Sequence, residues 1–417
     1  MKLNEISAAE EVLKNNKQEK VLKIFEKIDD KSKEKLAEQI LKINFEQLNN
    51  LYDNREEKQE KDAKIEPIKY VNKNKLNDKQ IEELSILGKK AIKQGKYAVV
   101  TMAGGQGTRL GWKGPKGTFK LDVGEKGKYI FEILVDTLKR ASKRYGAEVC
   151  WYVMTSIENN DDTIKFFEEN NYFGYDKQKV KFFTQSVLPL LDLEGNLLID
   201  KNFKVKEASD GNGGVFKALK NSGMLEDMRN KGIEWVYICG VDNIMANMVD
   251  STFLGLAIKS KNLAASKSIK KAYPEEKVGS FCKKNGRPAV IEYSEMSKEM
   301  VYAKDENDEL LYGESHFVAN LFNIEFLEKI ASYDFRYHCA VKKNSYMDED
   351  LKEVTPKTEN SLKFEAFIFD AFEYLDDITI FRVNREEEFA PIKNISGNDS
   401  PKTAKAIYEK YFSIKGV

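Results

Sequence analysis

Apolar residues recur at helical spacing through the first part of the chain: Val21, Leu22, Ile24, Phe25 and Ile28, then Leu36, Ile40, Leu41 and Ile43. Positions three and four apart share one face of an α-helix, so this stretch predicts amphipathic helices. A highly charged run from Asp53 to Lys64 interrupts them. Its simplest reading is a solvated helix face or a loop, with a partner-binding segment as the rarer alternative. Asn77 or Asp78 then stands where a helix cap belongs, ahead of Ile81, Leu84, Leu87, Ala91 and Ile92, and Gly95 supplies a stop.

From Tyr97 the texture changes to short apolar runs of β type alternating with helical patterns: Tyr97–Met102, Val149–Met154, Val180–Phe183 and Trp235–Cys239. Between the first two, Ile130, Phe131, Leu134, Val135, Leu138 and Ala141 mark one face of a helix. Strands that are apolar throughout and bounded by helices predict an α/β fold: a mixed, mostly parallel sheet with helices on both faces. One antiparallel hairpin is expected where Val278–Lys283 and Pro288–Tyr293 flank Lys284-Asn285-Gly286-Arg287, because Asn-Gly accepts the positive φ angles of a tight turn. In linear terms the pattern reads as an N-terminal helical region (1–95), a catalytic α/β domain (96–390) and a short C-terminal helical segment (391–417). Ligands of such sheets bind beyond the carboxyl ends of the strands, so motifs at those ends carry the most weight.

Composition narrows the function classes. Lys+Arg and Asp+Glu each number 68 in the 417 residues, which argues against a nucleic-acid partner, since such binders show a basic surplus. Phosphate chemistry must then come from a few locally placed cations. The four cysteines, Cys150, Cys239, Cys282 and Cys339, show no metal-binding spacing and read as small buried hydrophobes. No signal core opens the chain, and no run approaches the roughly eighteen apolar residues of a membrane span; a soluble cytoplasmic protein is expected.

The first strand leads into Met102-Ala-Gly-Gly-Gln-Gly-Thr-Arg-Leu-Gly111, followed by Pro115-Lys116. Glycines at 104, 105 and 107 let the backbone approach a polyphosphate and turn its N–H groups toward it, and Arg109 and Lys116 add the cations such an anion demands. The spacing fits neither a P-loop nor a dinucleotide fingerprint, whose third glycine would fall on Leu110. A chance match to G-G-x-G-T-R-L arises about once in 10⁷ start positions at average residue usage.

This loop resembles the signature of the UDP-sugar pyrophosphorylase family of eukaryotic type. Further strings match in order: Phe183-Thr-Gln185, Ser209-Asp-Gly-Asn-Gly-Gly214, Gly240-Val-Asp-Asn243, Ala272-Tyr-Pro-Glu-Glu-Lys-Val-Gly279, Ile291-Glu-Tyr-Ser-Glu295, Phe364–Asp370 and Arg385–Asn394. The Asp-Gly-Asn-Gly-Gly and Glu-Tyr-Ser-Glu strings are most similar to UDP-N-acetylglucosamine pyrophosphorylases. The resemblance implies a nucleotidyltransferase (Rossmann-like) fold and a uridylyltransferase joining UTP to a sugar 1-phosphate, most plainly N-acetylglucosamine 1-phosphate, with glucose or galactose 1-phosphate as the alternative. It implies that Met102, Ala103, Gly104 and Gly105 hold the nucleotide while Arg109 and Lys116 grip its phosphates. Gln185 and Gly211 match uracil-recognising positions, although Gln185 alone reads as a polar residue at a strand end. Asn212, Gly279 and Glu292 match sugar-binding positions. Lys363 and Lys393 match late lysines that reach the phosphates. Asp242, beyond the strand Trp235–Cys239, also meets the nucleotide and is the candidate Mg²⁺ ligand, since Mg²⁺ prefers one or two carboxylates plus phosphate oxygens; a turn-forming Asp-Asn pair explains it equally well from sequence.

Two departures stand out. Ser315-His316 occupies the place of a glycine-asparagine pair that touches the sugar in the N-acetylglucosamine enzymes, making His316 a candidate sugar contact. The family's further C-terminal domain has no counterpart before Val417, so a monomer is expected. Rival classes are a UDP-sugar-dependent glycosyltransferase, which would carry an Asp-x-Asp pair where Asp242-Asn-Ile stands, and a sugar-nucleotide sensor without turnover.

Overall fold

The computed structural model of the chain describes residues 2–56, 63–333 and 335–415, so residues 57–62 of the charged run lie outside the described residues. It divides into two units: Met1–Lys61 with Ser186–Gly214 and Phe335–Phe367, and Asp62–Gln185 with Val215–Asp334 and Ile368–Val417.

In the first unit the amphipathic pattern becomes the helices Lys2–Asn15, Glu19–Lys27, Asp30–Ile40 and Phe45–Asp53. Asp29 and Asn44 cap the last two by accepting from Ser32 N and Gln47 N at 3.0 Å each. Their apolar stripe (Leu13, Ile24, Phe25, Leu36, Ile40) packs together with Phe45 and Leu48 of the fourth helix. It shares a core with Leu197, Ile199, Val205, Leu362 and Phe364. A small sheet of Leu191–Asp192, Ser361–Glu365 and His338–Lys342 completes the unit. The linear division at 95 and 390 therefore does not coincide with the compact units. Periodicity shows which face of a helix is buried, but not which distant segment buries it.

The second unit is built on one large sheet. In chain order its main strands are β1 (Tyr97–Met102), β2 (Cys150–Thr155), β3 (Val180–Thr184), β4 (Trp235–Gly240), β5 (Ala264–Lys270), β6 (Ser280–Lys284), β7 (Arg287–Ile291), β8 (Glu314–Asn323) and β9 (Thr379–Arg382). The spatial order runs from Val71–Asn72 through β9, β5, β8, β4, β1 and β2 to β3. Only β8 runs antiparallel to its neighbours on this path. The strands β1, β2 and β4 are buried almost throughout, as a sheet covered on both faces requires. The hairpin closes as anticipated: Lys284 pairs with Arg287 around Asn285 (φ 50°) and Gly286 (φ 82°), and β6 also pairs with Ile65–Pro67.

Local signals set the helices. Asn77 and Gln80 form a reciprocal capping box ahead of α1 (Asp78–Lys93), and Gly95 stops the chain at φ 72°. The helix α2 (Ile130–Tyr145) ends at Gly146, in the left-handed region at φ 65°. At the crossing of α1 with α3 (Ser251–Ser260) backbone meets backbone: a Cβ on Gly88 would lie 1.9 Å from Ser251 O, and one on Gly255 1.8 Å from Leu84 O. Cys239 and Cys282 are buried as read from the sequence, whereas Cys150 and Cys339 are half-buried. Among the described residues no helix is long and apolar enough to cross a membrane.

Candidate active site

The glycine loop leaves β1 at the carboxyl end of the sheet. It is fastened from beneath: Ala103 N donates to Met154 O at the end of β2 (2.6 Å), and Asn159 Nδ2 donates to Ala103 O (3.2 Å). The loop then folds back on itself, with Gly107 N donating to Gly114 O (2.9 Å) and Lys116 N to Gly105 O (3.0 Å). Trp112 Nε1 donates to Thr118 Oγ1 at 2.9 Å and closes the far side. These bonds use the loop's own peptide groups yet leave Gly105 exposed, with open space where its Cβ would stand. Gly104 faces the side chain of Gln185, whose Oε1 would lie 2.3 Å from a Cβ there. Gln185 is itself placed by its N–H on Thr155 O (2.7 Å), so the ends of β1, β2 and β3 converge on the loop.

Asp242 lies just beyond the next strand, β4, half-buried, with Oδ1 2.6 Å from where a Cβ on Gly240 would be. A clamp holds this turn to the segment that carries Lys393. Ile392 N donates to Asp242 O (2.9 Å), Asn243 Nδ2 donates to Glu388 O (2.7 Å), and Ala390 N donates to Asn243 Oδ1 (2.9 Å). Lys393, 3.5 Å from Asp399 Oδ2, follows directly. The electrostatics at Lys116 register the result. Burial holds its ammonium below the ordinary lysine range, Asp242 opposes that, and Lys393 and Arg109 push it further down. Four residues scattered from 109 to 393 thus share one site, where cations outnumber carboxylates. That suits a bound polyanion and not general acid–base work. Among the described residues no group of three or more His, Cys, Asp or Glu side chains is placed to hold a metal ion.

Gly279, Glu292 and His316 also come together. His316 N donates to Gly279 O (2.9 Å), and Glu292 Oε1 would lie 3.3 Å from a Cβ on Gly279. A bulge in β8 sets the histidine: β5 pairs Ser268 with His316 but Ser266 with Asn320, and Val318 between them has φ 57°. The imidazole packs edge-on against Phe281, Phe369 and Phe372, and its Nε2 bonds Asn320 Oδ1 at 3.1 Å. Burial lowers its pKa to about 4, the Asn320 contact opposing, so the ring is neutral at pH 7 and Nε2–H is the donor to the amide oxygen. A groove of about 760 Å³ is lined by Glu276, Val278, Arg385, Phe389, Pro391 and Lys393.

Gly211, Asn212 and Lys363 belong to the first unit. There the strings 209–214 and 364–370 meet: Ala366 N donates to Asp210 O (2.7 Å) and Gly213 N to Ala366 O (2.9 Å). Gly211 has φ 89° and its Cβ would lie 2.3 Å from Ala366 O, so only glycine fits. Lys363 Nζ is paired with Glu365 at 2.7 Å. Asn159, Asn243 and Glu388, which position the loop and the clamp, escaped sequence reasoning. An asparagine that fastens a loop looks like any turn asparagine until its partner is known.

A family model described as UTP–glucose-1-phosphate uridylyltransferase matches residues 43–399. UDP-N-acetylglucosamine diphosphorylase 2 of Arabidopsis thaliana is 38% identical over 340 residues, 77% of this chain and 66% of its own length. This chain therefore spans just under two thirds of that relative. UDP-N-acetylglucosamine pyrophosphorylase of Saccharomyces cerevisiae is 38% identical over 346 residues, 80% of this chain and 72% of its own. Among solved structures, the uridine diphosphate N-acetylglucosamine pyrophosphorylase of Trypanosoma brucei superposes with a TM-score of 0.84 at 29% identity, covering 97% of this chain and 84% of that one.

Proposed function

This chain belongs to the family of UTP–glucose-1-phosphate uridylyltransferases, and we propose that it makes a UDP-sugar and pyrophosphate from UTP and N-acetylglucosamine 1-phosphate. The observation that carries the reading is that Lys116, on the glycine loop, lies within electrostatic reach of Arg109, Lys393 and Asp242. The strings around Asn212 and Glu292, and the names of the relatives above, support the choice of sugar.

The reaction is an in-line displacement. An oxygen of the sugar phosphate forms a bond to the α-phosphorus of UTP, the α–β phosphoanhydride bond breaks, and pyrophosphate departs with the electron pair. The attacking phosphate monoester has a second pKa near 6 and is mostly dianionic at neutral pH, so no protein base is needed. What the protein must supply is alignment of two anions and neutralisation of the charge that builds up. Met102 to Gly105 offer backbone to the nucleotide, Gln185 meets uracil with its amide, and Arg109 faces the leaving pyrophosphate. Gly279, Glu292 and His316 meet the sugar. Asp242 fits Mg²⁺, which takes few protein carboxylates when substrate phosphates fill its remaining positions. When bound, that ion neutralises phosphate charge.

The test is pyrophosphate release from UTP across a panel of sugar 1-phosphates. N-acetylglucosamine 1-phosphate is expected to lead, with glucose and galactose 1-phosphates as detectable competitors. At least a hundredfold preference for glucose 1-phosphate would replace the sugar assignment, and UTP binding without pyrophosphate release would favour a sensor.

A further inference from the structure

Lys267 lies in the middle of β5, and its side chain is 0% exposed. A buried ammonium survives only if opposite charge replaces its lost water. Two carboxylates do so: Asp250 Oδ2 at 2.9 Å and Glu388 Oε2 at 2.6 Å, the latter 3% exposed. Burial opposes the charge on Lys267, but Asp250 and Glu388 outweigh it and keep the lysine protonated. Each partner is structurally committed. Asp250 caps α3 by accepting from Thr252 N and Phe253 N. The carbonyl of Glu388 accepts from Asn243, next to Asp242, and the chain runs on from Glu388 to Lys393. Lys267 Nζ also reaches Asn247 O, four residues after Asn243, at 3.5 Å. One buried cation therefore ties together the two segments that carry Asp242 and Lys393.

We propose that Lys267 is a positioning residue for the phosphate site: by holding Glu388 it fixes Lys393 and Asp242 relative to one another. It touches no substrate and acts through the Asn243–Glu388–Ile392 clamp. The proposal rests on the uridylyltransferase reading for its kinetic consequence but not for its structural one.

The experiment uses the full chain carrying Lys267→Met, which keeps the stem and removes the charge. Turnover per folded molecule and UTP affinity are measured alongside hydrogen exchange of the peptides covering 240–247 and 386–394. The expected result is at least a tenfold loss of kcat with UTP affinity changed less than twofold, and faster exchange confined to those two peptides. A lysine that merely fills the core would lower the melting temperature and leave kcat of the folded fraction within twofold; that outcome, or unchanged exchange, overturns the proposal. If Lys267→Met does not fold, Glu388→Gln, which keeps the shape and an acceptor, carries the test: the same two signatures in smaller measure are expected, and their absence overturns it. A wild-type chain without turnover would condemn the functional reading instead. The exchange comparison needs no substrate and would still decide the positioning role.

Discussion

Removing the charge of Lys116 should move stability and catalysis in opposite directions. Its ammonium has lost water to burial and faces Lys393 and Arg109, with Asp242 in partial compensation, so its pKa lies below the ordinary value. A base with a depressed folded pKa costs the native state a constant amount at all pH below that value. The cost fades as pH rises from the folded pKa toward the unfolded one, and each unit of depression corresponds to about 1.4 kcal/mol. Lys116→Met keeps the hydrocarbon stem, so near pH 7 the unliganded variant should be at least as stable as the wild type, and this advantage should shrink as pH approaches 10. Turnover should respond the other way. Losing one charged donor to the phosphates of the transition state is worth about 2.7 kcal/mol, a hundredfold in kcat. Thermal unfolding with and without UTP, read beside pyrophosphate release, separates the two effects. UTP at a hundred times its Kd stabilises a binding-competent protein by about 2.7 kcal/mol, and the variant should show a smaller increment. A variant that melts well below the wild type yet turns over within threefold of it would refute both the electrostatic argument and the assignment of Lys116.

Three further outcomes are expected. EDTA should abolish activity, and Asp242→Asn should weaken Mg²⁺ activation far more than metal-free UTP binding; full activity in a metal-free assay would remove the ion from the mechanism. Gly88→Ala should destabilise by about 3 kcal/mol in denaturant titration, because its methyl would stand 1.9 Å from Ser251 O. Helix propensity alone predicts a gain of about 1 kcal/mol, so the sign decides which effect wins. His316→Asn should lower stability by about 2 kcal/mol, since a ring packed by three phenylalanines is exchanged for a smaller amide. The same variant should sharpen the preference for N-acetylglucosamine 1-phosphate over glucose 1-phosphate. Unchanged sugar ratios would place His316 outside the sugar site.

The sequence by itself determined whatever depends on neighbours a few residues apart. The capping box at Asn77, the stop at Gly95, the Asn285-Gly286 hairpin and the apolar strands β1 to β4 follow from backbone sterics and side-chain period, and the structure has them in place. The glycine loop was legible for the same reason: its tight turns after β1 need a local string of glycines, and local strings survive in one dimension. Tertiary structure alone decided what depends on partners far away in the chain. Nothing in the spacing of 109, 116, 242 and 393 shows that Lys116 feels the other three. Nor does the helical stripe at Leu13 to Ile40 reveal that Leu197, Ile199 and Leu362 cover it. Nor does the string Ser315-His316 reveal that the His316 ring packs edge-on against Phe281, Phe369 and Phe372, two of which lie over fifty residues later. Hydrophobic burial is non-directional: the pattern tells a residue to leave water without saying whom to meet, and the sheet order makes that choice.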